Sequence, residues 1–207
     1  MAQTLRDLLI QRAARLQERP ALTAPAWGTL SYAQLRNRVE GVALGCLAME
    51  PPPAVVFSAT GTAWDWIAEL AAAASGLRWD AAGLTVPTEV LGGPRFNQED
   101  GRGPYHAREQ AVTASTPFTP DLSHGDLLAR LRRLNVQLGW DHTTELQLPQ
   151  ARLGEAPLRG ALWSALYAGA HAVLQPESTP PGFPARRGQL PQTFSSLEPF
   201  KGFWTVP

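Results

Sequence analysis

From Thr4 to Gln17, apolar side chains return at helical spacing through Leu5, Leu8, Leu9, Arg12 or Ala13, and Leu16, which predicts a helix with one face made to lie against something. Thr4 caps its start and Pro20 prevents its continuation. After the Gly28 turn, Ser31 followed three residues later by Gln34 is a capping-box pattern. The helix it opens carries Leu35, Val39, Val42 and Cys46 on one stripe and ends at Pro51, Pro52 and Pro53. The run AVVFS over 54–58 is apolar and β-rich enough for an interior strand, and a Gly61 turn then feeds WDWIAELAAAAS, a closely packed helix. Strand, turn and helix in that order are half of a parallel β-α-β unit.

Between 76 and 120 the pattern weakens to glycines, prolines and polar residues, with at most a short strand at 84–86. The segment 92–106 has neither period and is expected to be an exposed or partly disordered loop that covers a partner surface or marks a deletion. Order returns at Ser123, whose cap position, with Asp126 three residues on, opens a helix carrying Leu127, Leu131, Leu134 and Leu138 on one face. TELQL alternates as a strand, Pro157 starts a helix that Gly169 ends, and HAVLQ is the next strand. The expectation is one α/β domain over 1–177, a three-layer arrangement with a partly parallel sheet and an irregular 92–120 loop. A proline-rich tail over 178–207 follows, with Phe200, Phe203 and Trp204 packing it on the body or on a partner.

Composition narrows the function classes. The 207 residues carry 18 basic and 18 acidic side chains, so no long-range attraction to nucleic acid or anionic lipid is expected. Arg130, Arg132 and Arg133 read as a solvated helix face. No apolar run is long enough to span a membrane, and the lone Cys46 in an Ala/Leu-rich helix reads as core filler; the expected location is cytoplasmic. Seven tryptophans are many for this length, and large amphipathic rings favour interface cores, so a homo-oligomer or a protein partner is expected.

Candidate chemistry is sparse. His106, His124, His142 and His171 lie in four different contexts without a compact ligand spacing, so no metal site is expected. His124 packs or caps locally, His142 sits on a turn and His171 begins a strand. Asp65 and Glu69, four apart on a helix, share a face and read as ordinary acids on its solvent side. Ser123 beside His124 is not a triad, and the single glycine at 61 makes a structural turn rather than a phosphate-binding fingerprint.

The order of segments carries a resemblance. TLRDLLIQRAARLQERPAL followed by WGTLSYAQLRNRVEGVALGCL resembles the opening of the AMP-binding, acyl-adenylate-forming superfamily, with its "RPAL" phrase, strand hairpin and "TYAEL" helix start. LSHGDLLARLRRL resembles that family's "LTHRNL" helix, and LQLPQARLGEAPLRGALWSALYAGAHAVLQP resembles the strand, pocket loop, helix and strand that follow. The resemblance implies the family's N-terminal α/β fold, but the departures bear on activity. Where the family wraps ATP phosphates with a Gly/Ser/Thr-rich loop ending in Pro-Lys-Gly, this chain has AVTASTPFTPDLSH, which places Phe118 at the lysine and Thr119 at the glycine. The family's adenine-binding strand, magnesium-binding acid, ribose-binding aspartate and C-terminal catalytic lysine have no counterpart in the sequence. The reading is a truncated, degenerate relative with no catalytic, cofactor or metal residues, acting in binding or assembly. The alternative is a small carboxylate or acyl ligand held in a remnant acyl pocket by Arg152, Trp163 and Tyr167; half of a split activity is the third reading.

Overall fold

A computed structural model describes residues 2–50, 53–58, 60–86, 111–176, 182–186, 192–193 and 198–205. Helix α1 (Leu5–Leu16) leads to a hairpin of β1 (Pro20–Ala24) and β2 (Gly28–Ser31) and then to α2 (Tyr32–Leu47). A second group follows: β3 (Val55–Phe57), α3 (Trp64–Ser75), β4 (Arg78–Trp79) and β5 (Leu84–Thr85). Then come α4 (His124–Leu138), β6 (Thr144–Pro149), a 3-10 turn (Gln150–Arg152), α5 (Ala156–Ala168) and β7 (His171–Gln175). Strands β8 (Gly182–Arg186) and β9 (Gln192–Thr193) and the short α6 (Glu198–Lys201) complete the described elements.

The strands form two sheets. The larger has the order β2-β1-β7-β6-β8-β9; β1, β7 and β6 run parallel, while the β2, β8 and β9 pairings are antiparallel. The smaller has the order β4-β3-β5, with both pairings parallel, so β3-α3-β4 is the β-α-β unit that the sequence half declares. Helix α2 packs on β1 and β2, α3 packs on β3 and β4, and the two helices pack on each other. The fold is thus mixed α/β with a partly parallel sheet, and helices join one sheet to the other. Residues 87–110, which hold most of the expected irregular loop, lie outside the described residues.

Local chemistry fixes the helix starts. Thr4 with Asp7, Ser31 with Gln34, and Ser123 with Asp126 each close a reciprocal capping box that satisfies two end donors. Longer-range bonds then set the helices in place. The buried Tyr32 hydroxyl donates to the Ala170 carbonyl at 2.7 Å, tying the start of α2 to the turn before β7. His124, fully buried at the start of α4, accepts the Leu5 N–H at Nδ1 over 3.2 Å and so caps α1 from another helix. Burial pushes its pKa down to about 4, against a smaller opposing pull from Asp7.

Helix α3 corrects the expectation for Asp65 and Glu69. Every residue from Asp65 to Ser75 is buried, so the helix has no solvent side for its acids to occupy. Asp65 instead satisfies the loop after β3: it accepts from the Ser58 hydroxyl at 3.0 Å, from Thr60 N–H at 2.7 Å and hydroxyl at 2.8 Å, and from Gly61 N–H at 2.9 Å. Glu69 receives both ends of the Arg159 guanidinium at 2.7 Å and the Trp163 indole N–H at 2.8 Å. The Arg159 guanidinium also lies 5.6 Å from the Trp79 ring centre and 4.4 Å from that of Trp204. Trp204 in turn donates to the Ala156 carbonyl at 2.7 Å, while Phe200 and Phe203 are buried in the core.

Two outcomes follow from these bonds. The neutral, buried His124 gives a folded chain that binds fewer protons than the unfolded one between about pH 4 and about pH 6.5, so stability falls as pH drops through that window, by on the order of 3 kcal/mol. Urea unfolding at a series of pH values should show that slope, and His124→Leu should lack it. Arg159→Met leaves the Glu69 carboxylate buried with one indole donor and should cost about 3 kcal/mol or more in the same assay. Adding Glu69→Leu should recover most of the loss, because the pair is then removed rather than broken.

Candidate functional site

The segment 113–125, where a nucleotide-binding relative would wrap phosphates, folds here into a closed hairpin. Pro117 bridges Ser123, and the N–H groups of Phe118 and Thr119 both donate to the Leu122 carbonyl, at 2.8 and 3.0 Å. Thr116 N–H donates to Thr113, His124 N–H to Thr116, and Gly125 N–H to Ala114. Thr113 N–H donates to the Thr116 hydroxyl, and the hydroxyls of Thr113, Ser115 and Thr116 bond among themselves. The donors that would meet phosphate oxygens are therefore largely engaged inside the loop. Phe118 is fully buried, with its ring 5.7 Å from Trp163 and 5.7 Å from His124, and its carbonyl accepts the Trp79 N–H. A core aromatic thus stands where the sequence resemblance puts a phosphate-contacting lysine.

The residues expected to line an acyl pocket do not converge. Arg152 lies exposed on the 3-10 turn, where its guanidinium grips Glu155 in a two-point ion pair at 2.6 and 2.7 Å. That pairing holds Glu155 below the usual carboxylate range. Trp163 points inward, fully buried, with its ring edge-to-face against Trp66 at 5.1 Å and its N–H on Glu69. Tyr167 lies one turn further along α5 against α1: the Arg12 guanidinium is 5.8 Å from its ring centre and donates to its carbonyl. Among the described residues, a cavity of about 10 Å³ lies beside the pocket loop, lined by Ser58, Asp65, Glu69, Leu153, Gly154 and Arg159 among others. That volume is about enough for a single water.

Larger hollows lie at the periphery. One of about 350 Å³ runs between α4 and the C-terminal segment, where Arg130 donates to the carbonyls of Phe203 and Thr205 at 2.6 and 2.7 Å. Another of about 250 Å³ opens where β1, β7 and β6 begin, lined by Arg19, Pro20, Thr29, His142, Thr143, Thr144, Glu145 and His171. There His171 Nδ1 lies 3.1 Å from Glu145 Oε2, His171 Nε2 lies 2.8 Å from Thr23 Oγ1, and Thr23 Oγ1 lies 2.7 Å from Thr29 Oγ1. Sequence reading places His171 at a strand start but does not group it with Thr23 and Glu145. Alternation places each of these residues on the face of its strand opposite the core, but which strands lie side by side is set by the sheet order. Among the described residues no group of three metal-ligating side chains forms.

No protein-family model and no curated protein sequence matches the chain. Solved structures do match in shape. The NpsA N-terminal subdomain of Klebsiella oxytoca superposes with a TM-score of 0.58 at 17% identity over 86% of this chain and 55% of that one. VinN, solved with L-aspartate, gives a TM-score of 0.59 at 12% identity over 83% and 57%. Apo MatB of Rhodopseudomonas palustris gives 0.56 at 15% over 84% and 46%. The chain spans about half the length of these structures, and at such identities the likeness is one of fold. With the sequence blocks in their expected order, the fold resembles that of the N-terminal subdomain of adenylate-forming enzymes.

Proposed function

We propose that this chain acts in binding or assembly and does not itself catalyse acyl adenylation. Phe118 carries this reading: a buried ring at the phosphate-loop cation position cannot offer charge to a triphosphate, and the neighbouring N–H groups already have partners within the loop. The alternative is a carboxylate or acyl ligand held by Arg152, Trp163 and Tyr167; against it stand the Arg152 pairing with Glu155 and the Trp163 ring and N–H turned into the core. The test is calorimetry with ATP–Mg²⁺ together with a pyrophosphate-release assay over a panel of carboxylic acids. Neither nucleotide binding nor release above background is expected, and turnover with any acid would sink the proposal.

The assembly part of the reading rests on a half-buried aromatic pair. Trp27 and Trp64 meet edge-to-face at 4.7 Å, and the Arg38 guanidinium lies 4.9 and 5.2 Å from their ring centres. Tryptophan and arginine are the side chains most enriched where protein surfaces bind one another. Cytoplasmic residence belongs to the same reading: the free Cys46 is buried and its thiol is pushed up to about 12 by desolvation, as suits a structural thiol in a reducing compartment. No described helix is long and apolar enough to cross a membrane. Light scattering should give a mass above the monomer that falls toward it in Trp64→Ala. A wild-type chain that stays monomeric at high concentration removes self-association and leaves another protein as the partner.

A further inference from the structure

The hollow at the starts of β1, β7 and β6 has a chemistry that neither core packing nor the assembly reading requires. Glu145 and His171 are direct register partners on β6 and β7, and Thr23 sits on β1 beside them, all at half-buried positions between buried ones. Leu22, Ala172, Leu146 and Leu174 on the same strands are buried in the core, so the polar set occupies the sheet's other face.

The proton positions in this chain follow from donor inventory. A carboxylate only accepts, so His171 Nδ1 carries a proton and donates to Glu145. In a neutral ring Nε2 must then accept, so Thr23 donates to His171 and Thr23 Oγ1 accepts from Thr29. Thr29, its proton engaged, turns only lone pairs to the hollow. A proton added to His171 reverses the order. Nε2–H donates to Thr23, Thr23 donates to Thr29, and the Thr29 O–H is released to donate into the hollow.

Arg19 stands exposed on the same rim with no ion-pair partner among the described residues. A negatively charged oxygen ligand between Arg19 and Thr29 gains a guanidinium partner directly. It also favours the imidazolium twice, through attraction to its charge and through the Thr29 donor that the imidazolium frees. At about 250 Å³ the hollow falls just below the roughly 300 Å³ at which ordinary ligand pockets begin, which suits a small head group. We propose that this hollow binds a small oxyanion, a carboxylate or a tetrahedral one, between Arg19 and Thr29, and takes up a proton on His171 as it does so. The other charged or titratable groups facing the hollow among the described residues are Glu145, already bonded to His171, and His142 on the preceding turn.

Calorimetry of the full chain with acetate and with sulfate, neither of which titrates in the histidine range, tests this in two buffers of unlike ionisation enthalpy. Saturable binding of at least one anion is expected, with net proton uptake and an affinity that rises about tenfold from about pH 8 to about pH 6. Which anion binds tells whether a planar or a tetrahedral head group fits. Arg19→Gln should weaken binding about tenfold or more, and His171→Gln should keep binding but lose the proton uptake. His142→Gln should keep both. Thr29→Val, at an exposed position, should weaken binding more at the lower pH than at the higher, which tests the relay without altering the imidazole. The proposal is overturned if the folded wild type binds neither anion saturably, or if proton uptake survives in His171→Gln and disappears in His142→Gln.

Discussion

The Glu69 carboxylate is the constraint around which the interior is arranged. It sits on a helix with no exposed face, and a charge so placed has to be matched by a cation and further donors or the fold pays several kcal/mol. The match comes from α5, ninety positions along the chain, through Arg159 Nε and Nη2 and the Trp163 indole N–H. A guanidinium held there presents its faces to Trp79 at the end of the smaller sheet and to Trp204 in the C-terminal segment. Helix α3, helix α5, the β4 edge and the chain's last described turn therefore meet at a single ion pair. Trp163, drawn inward by the same carboxylate, supplies the wall against which Phe118 packs.

That geometry also accounts for the closed hairpin over 113–125. A loop that cradles an anion must hold its N–H groups away from its own carbonyls, and glycines are what allow such a shape. Here 113–124 contains no glycine, and its donors turn back onto Thr113, Thr116 and Leu122. The Phe118 ring anchors the hairpin in the core, so opening the loop toward a ligand would expose a large aromatic as well as break its internal bonds. The turn after β3, another place where an anion could sit at a helix start, is filled by the protein's own Asp65.

Helix starts and strand cores were legible in the sequence because their causes are local. Serine with glutamine or aspartate three residues on specifies a capping box wherever it falls, and Leu146 and Leu148 alternate whatever lies across from them. The environment of Asp65 and Glu69 was not legible. Their four-residue spacing places them on one face, but the alanines 71–74 that follow allow close packing on every side, and only the tertiary fold decides that no side stays wet. The Arg152 pairing is local: Glu155, three residues on, holds its guanidinium at the surface, a contact that a likeness to a pocket loop does not point to. The grouping of Thr23 with His171 and Glu145 was not legible because β1 lies more than a hundred residues before β6 and β7, and the register that brings the three strands together is not written in any of them alone.

The contrast between a filled interior and an open strand edge bears on where any ligand contact can lie. The parallel strands β1, β7 and β6 begin side by side, so the turns that precede them bring Arg19, His142 and Thr143 to one rim whatever happens at the other end of the sheet. Polar residues at strand starts cost little stability, because they remain near water, and they can hold a hydrogen-bonded chain such as Thr29–Thr23–His171–Glu145 without an apolar enclosure. By contrast, the described cavity between α3 and the 3-10 turn is bordered by the Glu69–Arg159 pair and holds about the volume of one water. Enlarging it would mean unmaking the Glu69–Arg159 pair on which the joining of α3 to α5 depends. A ligand-binding role for this chain is therefore far easier to reach at the rim of the sheet than beside that pair.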